Sequence, residues 1–133
     1  MFDFENGLIN RGLKIIAGAD EVGRGAFAGP VMVGCVCVPN ASLPRGPVII
    51  RDSKKMTPKQ RNESSIWIKE NFMWSTGKAT VAEINKFGIV GATNKAYRRA
   101  IKKINLDLEL LLVDAFYIPK LKNLPREKQT AII

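Results

Sequence analysis

Two adjacent acids, Asp20 and Glu21, follow the apolar residues Ile15, Ile16 and Ala17 and precede three glycines, Gly23, Gly25 and Gly29. A short apolar run ending in paired carboxylates reads as a buried strand that delivers both acids at its exit. A third acid, Asp114, closes a second run, Leu108 to Val113, apolar but for Glu109. If the two strands are neighbours in one sheet, Asp20, Glu21 and Asp114 converge, and their mutual repulsion calls for cations. The chain has no His and two Cys, so the donors are oxygens, a set that favours Mg2+ or Mn2+. Two such ions about 4 Å apart activate a water and stabilise the leaving oxygen in phosphodiester cleavage. The plainer alternative, ordinary acids at strand ends, holds more strongly for Asp114 alone than for the adjacent pair.

Gly23-Arg24-Gly25 follows the acids directly. Glycines on either side of an arginine let the backbone approach a sugar or phosphate, and the guanidinium adds a phosphate fork. A tripeptide of this kind is equally consistent with a plain turn. Close backbone approach is also one way to sense a ribose 2′-hydroxyl, the group that separates RNA from DNA.

The elements that must position these residues are legible in outline. Val31 to Val38 is a second strand, and the Pro- and Gly-rich stretch 39–47 is a loop before a brief apolar resumption at Val48 to Ile50. Thr57-Pro58-Lys59-Gln60 has the form of a helix start, with Thr57 as N-cap, Pro58 at the first helical position and Gln60 closing a capping box. That helix is expected to run to about Asn71. Trp74 to Val81 reads as a strand broken or turned near Gly77, and Ala82 to Phe87 as a short helix stopped by Gly88. A longer helix follows from about Val90 to Ile104, with Ala92, Ala96, Ala100, Ile101 and Ile104 on one face. Phe116 to Arg126 reads as loop and short helix, and Thr130 begins a last strand.

The 133 residues are 46% hydrophobic and 25% charged, which fits one soluble α/β domain over 1–133. No apolar run reaches the roughly 18 residues of a membrane span, so no membrane partner is expected and the cytoplasm is the expected location. Cys35 and Cys37 alternate along a strand and read as buried thiols. The net charge of +9 is concentrated: residues 54–103 hold twelve Lys and Arg against three acids, while the segments on either side balance. A basic face of this kind suits a polyanion such as nucleic acid, and a solvated basic helix is the plainer alternative.

The motifs together resemble the ribonuclease HII (type 2 ribonuclease H) family. GADEVGRGAFAGPV at 18–31 is similar to its first signature, DSKKM at 52–56 to its second, AEINKFGI at 82–89 to a third, and LLVDA at 111–115 to the strand bearing a later acid. The resemblance implies a ribonuclease H-like mixed β-sheet flanked by helices. It also implies metal-dependent endonucleolytic cleavage of RNA in RNA–DNA hybrids and 5′ to a ribonucleotide embedded in duplex DNA. Carried over by position, Asp20, Glu21 and Asp114 are catalytic metal ligands for Mg2+ or Mn2+. Gly23, Arg24 and Gly25 read the 2′-hydroxyl, and Ser53 and Lys54 contact backbone phosphate. The sister family, ribonuclease HIII, fits less well, because its first motif contains a lysine.

Departures from the family pattern are few. Asn85 stands where Asp is frequent and Ala115 where Gly is usual. The family's fourth acid follows a strand that begins here near Thr130, and its C-terminal helices carry a tyrosine that stacks at the junction. Neither lies within these residues, so the expectation is a truncated portion of the catalytic domain, or a short form completed by another chain, with low or absent hydrolysis on its own. The alternative from another class is a non-catalytic nucleic-acid-binding fragment that uses the basic 54–103 face.

Overall fold

The computed structural model describes residues 15–25, 28–39, 52–114, 117–121 and 123–132. The readings placed on 40–51, on Ala115 and on Phe116 lie outside them. Five strands form one sheet: β1 Ile15–Val22, β2 Val31–Pro39, β3 Met73–Ala79, β4 Leu110–Asp114 and β5 Gln129–Ile132. Their order is β3-β2-β1-β4-β5. β2 pairs antiparallel with β1 and β3, whereas β4 runs parallel to β1 and β5 parallel to β4. This is the mixed α/β sheet that the resemblance implies.

Two helices flank it, α1 over Pro58–Asn71 and α2 over Val81–Ile104. Both start with the same device. At α1 the Gln60 amide donates to Thr57 Oγ1 at 3.2 Å and the Thr57 amide to Gln60 Oε1 at 2.9 Å. At α2 the Glu83 amide donates to Thr80 Oγ1 at 3.2 Å and the Thr80 amide to Glu83 Oε1 at 3.2 Å. Each box satisfies amides that the first helical turn leaves unpaired. Thr80 and Val81 therefore belong to a helix start, which corrects the expectation of a strand to Val81: a cap followed by Glu three residues later outweighs β-branched propensity.

The expected break at Gly77 is also corrected. β3 passes through Gly77 without interruption, pairing it with Val33. The glycine is needed for packing, because a Cβ there would lie 2.0 Å from the Ala96 carbonyl oxygen and 2.6 Å from the Ala100 nitrogen. Gly88 does interrupt the helical path, with φ 76° and ψ 166° inside α2.

α2 covers one face of the sheet. Ala92, Ala96, Tyr97, Ala100, Ile101 and Ile104 are buried against Ala17, Ala19, Val33, Cys35, Cys37 and Ala79. The small residues let helix and strands approach closely, and Ser75 Oγ, buried at that contact, donates to the Ala100 carbonyl. The opposite face carries a smaller apolar group, Ile16, Leu110 and Leu112. Beyond β4, the Gln129 side chain ties the preceding segment down: it accepts from the Ile118 amide and donates to the Ile118 and Leu124 carbonyls, each at 2.9 Å. Among the described residues no helix is long and apolar enough to cross a membrane.

Candidate functional site

Strand register decides which acids meet. In the parallel β1–β4 ladder Ala19 stands opposite Val113, so Asp20 and Asp114 each follow by one residue at the carboxyl ends of neighbouring strands. Side chains alternate along a strand. Ala17 and Ala19 face α2, and Asp20 faces the other way with Ile16. Asp20 and Asp114 line one concavity of about 680 Å3 on the face opposite α2, with Gly18, Gly34, Ile68 and Phe72 among its walls.

Glu21 is turned to the α2 side. Its Oε2 accepts from the Tyr97 hydroxyl, and its Oε1 lies 3.9 Å from the Arg24 guanidinium. Tyr97 is fully buried. Burial raises its hydroxyl pKa, and the Glu21 hydrogen bond and the charges of Glu21, Asp20 and Asp114 add to the rise. All three acids therefore act on one buried hydroxyl. Among the described residues, no three His, Cys, Asp or Glu side chains gather closely enough to hold a metal ion.

Local burial raises the Asp20 carboxyl above its ordinary value; its hydrogen bond from the Glu21 amide, at 2.9 Å, opposes this, and the negative charges of Glu21 and Asp114 reinforce it. A carboxylate that is disfavoured by burial and by like charge is one that a cation stabilises. The donor chemistry fits a hard divalent ion, with carboxylate oxygens and nothing softer.

The remaining predicted residues are distributed around this centre. Gly23 has φ 90°, and a Cβ there would approach the Pro30 carbonyl oxygen to 2.6 Å. A side chain at 23 is thus excluded twice, by conformation and by space. Arg24 and Gly25 are exposed in the turn that follows β1. Ser53 and Lys54 lie in a 3-10 turn over Ser53–Lys55, capped by Asp52, whose carboxylate accepts from the Lys54 amide at 3.0 Å. Arg61 fastens this turn to α1 through the Ser53 carbonyl at 3.2 Å and the Met56 carbonyl at 2.6 Å. Ser53 and Lys54 do not line the concavity. The residue that sequence reasoning missed is Tyr97. Its only signal was its place four residues after Thr93 on the buried stripe of α2.

Residues 17–133 match the family model described as ribonuclease HII. The chain is 40% identical over 111 residues to ribonuclease HII of Pelagibacter ubique (strain HTCC1062), covering 84% of this chain and 58% of that protein. It is 36% identical over 121 residues to the Caldicellulosiruptor bescii enzyme of the same name, covering 90% and 57%. The chain thus spans somewhat more than half the length of these relatives. Among solved structures, Bst-RNase HIII in complex with Mn2+ is similar with a TM-score of 0.64 at 19% identity, covering 90% of this chain and 45% of that one. RNase HII from the PCNA:RNase HII complex of Archaeoglobus fulgidus gives 0.62 at 21%, covering 89% and 62%. At those identities the two structures speak to the fold, a ribonuclease H-like one. The family model's reach over nearly the whole chain, together with these relatives, establishes that the chain belongs to the ribonuclease HII family.

Proposed function

We propose that the chain supplies the core of a divalent-metal-dependent endoribonuclease that cuts RNA in RNA–DNA hybrids and 5′ to a ribonucleotide embedded in duplex DNA. The observation that carries the reading is the position of Asp20 and Asp114, each one residue past the last paired positions of the parallel β1–β4 ladder and both lining one concavity. Asp20 and Asp114 would hold Mg2+ or Mn2+ from the concavity they line, and Glu21, the third donor the family resemblance implies, stands on the other side of β1 against Tyr97. A divalent ion bound there would supply activation of a water and charge neutralisation at the leaving oxygen.

The chain's own residues do the rest. Gly23, Arg24 and Gly25, exposed in the turn after β1, read the ribose 2′-hydroxyl with backbone and guanidinium. Ser53 and Lys54, fixed by Arg61, take a backbone phosphate. Tyr97 holds Glu21 and keeps water from its inner side. Three of the four acids that the family pattern uses lie in these 133 residues, so slow hydrolysis or none is expected of them alone.

Binding and cleavage together test the reading. The chain should bind Mn2+ in calorimetry, and Asp20→Asn or Asp114→Asn should weaken that binding at least tenfold. It should favour duplex DNA carrying one ribonucleotide over the all-DNA duplex, a preference lost in Arg24→Ala. A Mn2+-dependent cut 5′ to the ribonucleotide, abolished by Asp20→Asn, would establish the activity directly. Mn2+ binding that is indifferent to both aspartates, or equal affinity for the two duplexes, would sink it.

A further inference from the structure

Four cations, Lys95, Arg98, Arg99 and Lys102, line a second depression of about 170 Å3 on the outer side of α2. They recur at the i, i+3, i+4, i+7 spacing of one helical face. Tyr97, on the same helix, points inward to Glu21. A helix is roughly 10–12 Å across, so the depression and the carboxylates cannot touch the same phosphate.

Three of the four charges have no carboxylate partner among the described residues. Arg99 is the exception, gripping both oxygens of Glu83 at 2.7 Å. Arg98 donates to the Pro119 carbonyl at 3.3 Å, a partner that carries no charge. Lys95 lies 4.5 Å from the centre of the Phe87 ring. That ring is 44% exposed at the Gly88 break and has Lys86 5.4 Å from its centre. Lys103, one residue on, donates to the Thr76 carbonyl at 2.8 Å and is likewise uncompensated. Uncompensated like charges on one face cost folding energy that a polyanion relieves.

From Lys95 to Lys102 the helix rises about 10 Å at 1.5 Å per residue, which matches about three phosphates of one strand at 3.4 Å of axial rise each. We propose that this face of α2 is a second nucleic-acid contact: a sequence-independent seat for the phosphodiester backbone of a duplex, away from the site of cleavage. It rests on the reading of nucleic acid as substrate, but not on the cutting chemistry. The face tethers the duplex electrostatically and makes no distinction between RNA and DNA.

The test is the salt dependence of binding to an all-DNA duplex and to an RNA–DNA hybrid, followed by fluorescence anisotropy without divalent metal. Lys95→Gln/Lys102→Gln should weaken both to the same extent and make the slope of log affinity against log salt shallower by about 1.8, roughly 0.9 for each lost phosphate contact. Lys59→Gln/Lys128→Gln removes the same charge from other exposed positions and should leave the slope within about 0.5 of wild type. An unchanged slope in the first variant, or an equal drop in the second, overturns the proposal. The outcome separates from that of the proposed function: a chain indifferent to the ribonucleotide can still show the drop, and a chain that senses the ribonucleotide can lack it.

Discussion

Tyr97 joins the acidic centre to the core: its ring is buried with the alanines of α2 and its hydroxyl donates to Glu21. A hydrogen bond to a charged group contributes more than a neutral one, so Tyr97→Phe should cost about 1.5 kcal/mol of stability in urea unfolding. An unchanged midpoint would mean that Glu21 finds another donor at once. Asp20 works in the opposite sense. Its carboxyl sits above its ordinary value in the folded chain, so the fold holds that proton more tightly than the unfolded chain does. Ionisation of Asp20 therefore subtracts from stability, setting in as pH rises through the ordinary value and complete above the raised one. Asp20→Asn should melt higher than wild type at pH 7 in the absence of divalent metal and equally at pH 3. The gain should stay below about 1 kcal/mol, because the side chain is exposed and screened. Both acids were legible from their adjacency at a strand exit. Tyr97 was not, since a helical count of apolar positions passes over a residue whose ring packs while its hydroxyl serves the site.

At the scale of elements, the caps were readable and the glycines only in part. Thr57 with Gln60 announces a helix by local chemistry alone, and α1 begins where that box predicts. Gly77 misled, because nothing local records that Ala96 and Ala100 will press on it from another element. Gly77→Ala should therefore cost about 3 kcal/mol or more, the upper range for overpacking, since the obstacles are backbone atoms that cannot swing aside. Gly88→Ala should cost about 1–3 kcal/mol for a different reason, its φ of 76° with ψ 166° being a region that essentially only glycine occupies. The two halves of α2 that meet at Gly88 are clipped together by Arg99 and Glu83. The Arg99 hydrogen bonds, with the Thr80 amide, hold the Glu83 carboxyl down at about 2, below an ordinary value of 4.5. A depressed carboxyl contributes stability above its ordinary value and loses it as pH falls toward the depressed one. The difference in urea midpoint between wild type and Glu83→Gln should thus be present at pH 6 and vanish between pH 4.5 and 2. A gap that persists at pH 2 would assign it to packing.

For the whole molecule, the sheet order was the part least available from residue patterns. The runs that become β1 and β4 are separated by two helices and two strands, and their adjacency entered the sequence reading only as a condition. Composition did mark the alternating thiols of β2 as interior, and they offer a probe of the whole assembly. Cys35 and Cys37 are fully buried on the α2 side of a strand paired on both edges. Burial pushes Cys35 up to about 12, with Cys37 adding to it, and burial pushes Cys37 up to about 11. At pH 8 both are therefore protonated as well as inaccessible, and the thiolate is the reactive form. An aromatic disulfide reagent should label the two at one slow rate, accelerating with urea in step with the tryptophan fluorescence of Trp67 and Trp74. Reaching either sulfur requires α2 to leave the sheet, which exposes the main core and amounts to global unfolding. Rapid labelling in native buffer would instead show α2 lifting while the sheet persists. Gly77→Ala separates the two cases: it weakens the α2–β3 contact, and it should speed labelling of both thiols by the same factor by which it raises the unfolded population.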